Sequence, residues 1–569
     1  MWLGSLWFVA PLFGRATGGA GRLRDALILG VAIPFGFGFV GLLWPVAVWL
    51  CIALLAAVRL LGRGSAEPPE VTASLEGRIG AALPILAAIA AGWPALVRPL
   101  LQGDSLGYHL PNAAAWTQAH SLWTTTTNYW FYPGGSELFA AGLLNAAGTL
   151  AAGFAGLGAL LFLGMRLYEW GVELGVRRWV AGAVAAFVVS SFTLAEQAGS
   201  LENDVWLAAF FVEALWLGRA KAPATFGRAA ALTALLKPLG WLYAGLGLGI
   251  ARPSWRIAAI ALAPLALWAL RDAVLWREAI IAPASSYYPN LFGTTILAHG
   301  WTGLVTLARA LRESGLATTL LFAAALCSIA FARDPRLRLA AAASLAIFLL
   351  DPFGYINPQP QLATGNSLRY ATAFLALGGV FLFELGRRMP IAGGMAALAI
   401  AVLNSSHTLG IFWNDATTHG TPLVTATVAA VLVLPWQRVK LWALPATACA
   451  LTAYAVVLAG SHPLDYYEDW LGRGTSPSRF FHWVAATKPP ALVGYGLRIG
   501  AISAVSPATR AIDADVHNPC REARTLGALL AVAGDIPVGG RTSYAPRRAF
   551  AERCGEIVFD DGNTIVVSP

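Results

Sequence analysis

Apolar runs of about 16 to 22 residues follow one another along most of this chain, each near the length at which an α-helix crosses a hydrocarbon core of roughly 30 Å. They predict membrane-spanning helices near 26–42, 44–61, 80–99, 149–166, 178–195, 204–219, 255–272, 316–332, 338–352, 370–385, 390–404, 421–436 and 441–459. Helices are the expected element because they satisfy their own backbone polar groups where no water can. The stretch between Arg228 and Arg252 is too short for two full spans, yet both its ends carry Arg and so belong on one side. It predicts a hairpin of two short helices with Lys237-Pro238 at the tip. The first run, Met1 to Phe13, lacks a basic segment before it and is followed by Arg15, Arg22 and Arg24, which reads as an interfacial or partial membrane segment.

Beyond Ser461 the pattern changes to alternating helical and strand-like runs with Asp465, Glu468 and Asp469 among them. Ser476-Pro477-Ser478 caps a helix through Thr487, Ala491 to Leu497 reads as a buried strand, and Cys520 to Leu530 has a helical pattern. Glu556 to Val567, around Asp561-Gly562, reads as a hairpin whose turn needs positive φ. The chain therefore divides into 1–79, an interfacial segment plus a transmembrane hairpin; 80–460, a transmembrane core with outer loops; and 461–569, a small soluble α/β domain. The fold class is a polytopic α-helical membrane protein, crossing about a dozen or more times, with that domain outside.

Composition agrees: 57% of residues are hydrophobic and 12% charged, against about 25% charged in a soluble globular chain. The net charge of +9 does not imply nucleic acid, because the Arg residues lie in short patches between apolar runs. Such patches mark cytoplasmic ends. Placing Arg59 and Arg63, Arg177 and Arg178, Arg219 and Lys221, Arg333 to Arg338, Arg387 and Arg388, and Arg438 and Lys440 inside gives one consistent alternation. Residues 103–148, 196–204, 273–314, 353–369, 405–420 and all after about 460 then fall outside, in the periplasm if the home is a bacterial inner membrane. Most of the Asp, His, Tyr and Asn residues are in these segments.

Three outer groups carry candidate chemistry. Asp104 follows a span directly and precedes Tyr108-His109-Leu110-Pro111, where a lipid-linked head group would present itself; its structural role would be to cap the helix that Pro111 announces. The same loop holds Trp116, Trp123, Tyr129, Trp130, Tyr132-Pro133 and Glu137, residues that suit either an interfacial belt or a platform for sugar rings. Glu202-Asn203-Asp204 opens another span from the same face, where negative charge is favourable in itself. Lys237, Arg271 and Arg369 stand at outer ends of predicted helices, and cations so near a bilayer require a partner or a ligand. Arg271 can pair with Asp272; together the three could grip a phosphate or pyrophosphate.

In their order these motifs resemble the GT-C glycosyltransferases, in the branch similar to protein O-mannosyltransferases and lipid A aminoarabinose transferases. Asp104 with Tyr108-His109-Leu110-Pro111 resembles the first-loop acidic motif; Tyr132-Pro133 with Glu137-Leu138 resembles the stretch that follows it. Glu202-Asn203-Asp204 resembles the second acidic motif. Leu236-Lys237-Pro238 matches the short-helix Lys, Trp268 to Asp272 with Tyr288-Pro289-Asn290 a central element, and Leu368-Arg369-Tyr370 a late one. Ser105 stands where many members carry a second acid, and Gly134 replaces a second Pro. The resemblance, over roughly 80–569, implies inverting transfer of a sugar from a polyprenyl-phosphate donor to a periplasmic lipid, glycan or protein acceptor among membrane lipids. Asp104 would be the base, with Glu202 or Asp204 and His109 as rival candidates. Lys237, Arg271 and Arg369 would hold the donor phosphate, and Tyr108, His109, Glu137, Asn203, Tyr288 and Tyr370 would line the substrate. No cofactor is read with certainty, and a divalent cation stays open. A secondary transporter of a polar or anionic substrate, or a non-catalytic assembly protein, is the alternative. Cys520 and Cys554, alone in the tail, can pair in an oxidising compartment and close a loop of about 33 residues.

Overall fold

A computed structural model describes residues 2–12, 19–61, 74–97, 100, 104–125, 127, 129–220, 222–276, 295–351, 365–388, 390–416, 479–497, 499–514, 518–533 and 544–569. The predicted spans at 421–436 and 441–459, Tyr288 and Ser476 to Ser478 lie outside these residues. Each of the other predicted spans is helical, as is the hairpin, whose arms Pro223–Leu236 and Pro238–Ala251 meet at Lys237. Among the described residues three helices are long and apolar enough to cross a membrane, within Leu75–Gly92, Trp255–Leu275 and Leu368–Gly386. A fourth forms if Arg178–Val189 and Phe192–Gly199, bent by 72°, are one span. Pro45–Leu61, Pro238–Ala251, Gly315–Phe331 and Ile391–Ser405 are apolar but shorter, so length and composition alone establish fewer than a dozen crossings. Val46, Leu50, Leu54 and Val58 on one helix, and Trp255, Leu267 and Leu270 on another, turn bare apolar side chains outward, more than a water-facing surface ordinarily carries.

Two expectations change. Residues 103–148 hold more than the helix that Pro111 announces: that helix, Leu110–Ala119, packs on a second one, Gly135–Ala147, and both are largely buried. Their mixture of Ala, Gly, Trp and Asn is less apolar than a lipid-facing span because they face protein. The helix expected over Cys520 to Leu530 stops at Leu526, where Gly527 takes φ +59° and turns the chain into a strand.

Close packing depends on small residues, as is usual where helices meet without water. A Cβ on Gly182 would overlap the backbone of Gly80, so the Leu75–Val97 and Arg178–Val189 helices touch main chain to main chain there. The N-terminal Gly19–Phe39 helix is fastened by buried charges. Arg24 donates to Asp25 at 2.8 Å and to Glu213 at 3.0 Å. Arg166 pairs with the same Glu213 and, at 2.8 Å, with Glu169.

The C-terminal domain is a five-stranded sheet in the order β2-β1-β3-β5-β4. Its strands are β1 (Ala491–Tyr495), β2 (Arg510–Asp513), β3 (Leu529–Val532), β4 (Glu556–Asp560) and β5 (Ile565–Ser568). β1 runs parallel to β2 and β3, with Val493 opposite Ile512 and Leu530, and the helices Ile499–Val505 and Pro519–Leu526 make the crossovers that parallel pairing requires. β5 pairs antiparallel with β3 and β4, closing the expected hairpin at Gly562, φ +83°. Cys520 and Cys554 are bonded, their Cα atoms 5.2 Å apart, and tie two helices of the domain together.

Candidate active site

The chain brings charges from distant segments to one cluster by three local devices. The first is a π-helical turn over Ser105–His109, in which the Leu110 N–H reaches back to the Ser105 carbonyl, with Asp104 at its head. Such turns recur at functional sites. The second is the break after Val189: the Ser190 and Ser191 hydroxyls donate to the Phe187 and Val188 carbonyls, at 3.2 and 2.7 Å, as the helix ends. The chain then bends and presents Gln197 and Glu202. The third is the hairpin tip, where Pro238 keeps Lys237 extended and Asn203 Nδ2 donates to the Leu236 carbonyl at 2.8 Å.

Arg369, on the 3-10 turn Gly365–Ala371, joins them. Its guanidinium donates to Glu202 at 2.5 Å, to Asp104, and to the Tyr370 hydroxyl at 2.7 Å. Lys237 Nζ pairs with Asp204 and lies 4.8 Å from the centre of the Tyr370 ring. Gln197 Nε2 donates to the free side of Glu202 at 2.6 Å. Residues 265 positions apart thus share one hydrogen-bonded network. Its members differ in access: the Asp104 side chain is 31% exposed, Arg369 13%, and Glu202 only 2%. Burial pushes the Glu202 carboxyl up to about 7, outweighing the attraction of Arg369, with Asp204, Asp104 and Glu196 adding to the rise. Arg369 Nε is buried without a hydrogen-bond partner among the described residues.

The aromatic loop forms a second tier. Tyr108 lies tilted by 32° against Tyr129 with ring centres 4.4 Å apart and meets Tyr132 edge-on at 6.2 Å. His109 and Glu137 are both buried and bonded, Nδ1 to Oε1, at 2.6 Å, while Ser136 donates to the other Glu137 oxygen at 2.8 Å. Arg271 is engaged with this tier: its donors go to the carbonyls of Leu122 (2.8 Å), Trp130 (2.9 Å) and Thr124 (3.2 Å) and to Asp272 (2.7 Å). It is fully buried. The expected pairing with Asp272 is present, four of the five Arg271 N–H groups are engaged by these partners, and Arg271 shares no ion pair with Arg369 or Lys237 among the described residues.

Several members of the site were not singled out from sequence. Ser105, noted only as the residue in place of an acid, accepts the Leu201 N–H at 2.9 Å and so ties the two acidic motifs together. Gln197 and Glu196 sit beside Glu202, and the signal was their place in 196–204, a segment expected outside. Buried Asp351 ends a predicted span and acts electrostatically on Tyr370; nothing in its local sequence marked it. Among the described residues no group of three His, Cys, Asp or Glu side chains is placed to hold a metal ion.

Fold and site together define a helical protein with membrane-compatible spans and a largely buried charge network, next to a turn against which an α/β domain packs. No family model matches the chain, and no curated protein matches it. Among solved structures it is similar to the crystal structure of ArnT from Cupriavidus metallidurans in the apo state, over 85% of this chain and 97% of that one, at a TM-score of 0.44 and 16% sequence identity.

Proposed function

We propose that this protein is a membrane glycosyltransferase that moves a sugar from a polyprenyl-phosphate donor to a lipid, glycan or protein acceptor at the outer face of a bacterial inner membrane, with inversion at the anomeric carbon. The observation that carries this reading is Arg369 held between Asp104 and Glu202, beside the Lys237–Asp204 pair. Transfer needs a base on the acceptor side and fixed positive charge on the leaving-group side, and this network has both within reach of one substrate.

Asp104 is the base. It is the most open carboxylate of the network, and it takes the acceptor proton as the acceptor oxygen or nitrogen bonds to the anomeric carbon. The carbon–phosphate oxygen bond breaks on the opposite side, and the bonding pair leaves with the lipid phosphate. Arg369 and Lys237, oriented in advance by buried Glu202 and Asp204, meet the growing phosphate charge without having to reorganise. The unpartnered Arg369 Nε–H is a donor that a phosphate oxygen would satisfy. Arg271 serves as the clamp of the aromatic loop, whose Tyr108, Tyr129 and Tyr132 make a stacking surface for a sugar ring. Tyr288 is retained as a substrate contact on the resemblance alone.

The test is to incubate the purified protein in lipid with radiolabelled polyprenyl-phosphate sugars and score label moved to lipid, glycan and protein. Transfer that depends on Asp104 and Arg369 is expected. No transfer from any such donor to any of the three acceptor classes overturns the reading.

A further inference from the structure

The C-terminal domain packs directly against the turn that carries the proposed base. Its helix Ile499–Val505 lies on the π-helical turn Ser105–His109 and on the helix Leu110–Ala119 that follows. The approach is closest at Gly500: a Cβ there would sit 2.6 Å from the Leu106 carbonyl oxygen, 2.7 Å from its Cα and 3.0 Å from its carbonyl carbon. All three are main-chain atoms, so no side chain can swing away to make room. Ser105 and Leu106 are completely buried under this contact. A second fastening lies beside it, where Gln118 Nε2 donates to the Pro507 carbonyl at 2.7 Å and to the Thr509 carbonyl at 3.1 Å.

A π-helical turn gains less from its own hydrogen bonds than an α-helical one and is held by what surrounds it. This turn is held from two sides. Inside, the Ser105 hydroxyl accepts the Leu201 N–H; outside, Gly500 closes on Leu106. Asp104 is the residue immediately before this turn, and its carboxylate must meet both Arg369 and an acceptor. A displacement of the turn by about 1 Å is enough to cost on the order of 10² in rate when a reacting group is misplaced.

We propose that the C-terminal domain is a structural part of the active site, and that Gly500 is a positioning residue that sets the place of Asp104 by main-chain contact with Leu106. This rests on the transferase reading for its kinetic consequence, but not for the contact itself. The absence of a side chain at 500 is what the geometry requires, although φ there is not in the left-handed region.

The experiment compares Gly500→Ala with Gly527→Ala in the full-length protein in lipid. Gly527 has φ +59° and open space around its Cβ position, so its substitution strains the same domain without pushing on the turn. Two readouts are taken: hydrogen–deuterium exchange along the chain, and turnover of radiolabelled polyprenyl-phosphate sugars split into kcat and KM. For Gly500→Ala, faster exchange confined to 104–112 and a fall in kcat of tenfold or more at an unchanged donor KM are expected. Gln118→Ala, the milder change at the same interface, should move both readouts the same way but less. Gly527→Ala should speed exchange in the sheet and leave kcat as it was. The proposal is overturned if Gly500→Ala leaves exchange at 104–112 unchanged, or if its losses follow those of Gly527→Ala and track domain stability alone. Should the wild type prove inactive with every donor, local loosening in Gly500→Ala still supports the contact's role, and it is the transferase reading that falls.

Discussion

At the scale of single residues, the charges that matter were visible because they are costly where they stand. Asp104, Glu202, Asp204, Lys237 and Arg369 sit at the ends of apolar runs, and each has a charged partner in the structure. Asp104→Asn keeps the side chain's size and its ability to accept from Arg369 while removing the proton acceptor. Turnover of labelled donor is expected to fall by roughly 10² to 10⁴ with normal yield of folded protein; full activity would move the base to Glu202 or Asp204. Glu202 gives a pH prediction. Its carboxyl is raised from 4.5 to about 7 in the folded protein, so the folded state holds the proton more tightly than the unfolded state does. Its contribution to stability is therefore fully present below about pH 4.5 and is lost as the pH rises through 7. Thermal unfolding across that window should show the decline, and Glu202→Gln should flatten it. What local sequence could not reveal was the use of Arg271. Its hydrogen bonds go to three main-chain carbonyls, whose positions depend on the path of a loop some 150 residues away.

At the scale of elements, the lengths of the apolar runs located the helices and Pro238 marked one break, whereas the 72° bend after Val189 fell inside 178–195, a stretch expected as one span. The Leu236-Lys237-Pro238 tip was legible because proline restricts the residue before it. The helix that Pro111 announces is present at Leu110–Ala119, whereas Gly135–Ala147 was not legible, since a helix buried in protein need not be as apolar as one that faces lipid. Two substitutions test what holds these elements. Arg271→Ala strips the loop carbonyls and Asp272 of their donor, and a loss of at least about 3 kcal/mol in unfolding free energy is expected from several unsatisfied buried groups. A phosphate-gripping role would instead show as weaker donor binding at unchanged stability. Glu213→Gln leaves Arg24 and Arg166 without their shared counter-charge inside the helix bundle. Breaking a buried pair by removing one partner costs roughly 3–5 kcal/mol, and proteolysis near residue 40 should report release of the N-terminal helix.

At the scale of the whole molecule, the C-terminal domain and the acidic network share one end, because Ile499–Val505 rests on the turn after Asp104. Closing a loop of this length with a disulfide is worth about 3 to 4 kcal/mol by chain entropy. Reduction of the Cys520–Cys554 bond is therefore expected to lower the domain's unfolding temperature, as read by a scan with and without reductant, while leaving the apolar helices intact. The sequence by itself determined the repeated apolar helices, the change to an α/β pattern in the tail and the list of charges at the ends of apolar runs, since hydrophobicity, helix period and charge cost are properties of a residue and its near neighbours. Only the tertiary structure decided which charges meet, that Arg271 clamps a loop while Arg369 joins two acidic motifs, and that a glycine in the tail abuts the turn beside Asp104. Those outcomes depend on distances between segments hundreds of residues apart, which are fixed by packing and have no expression in any local pattern.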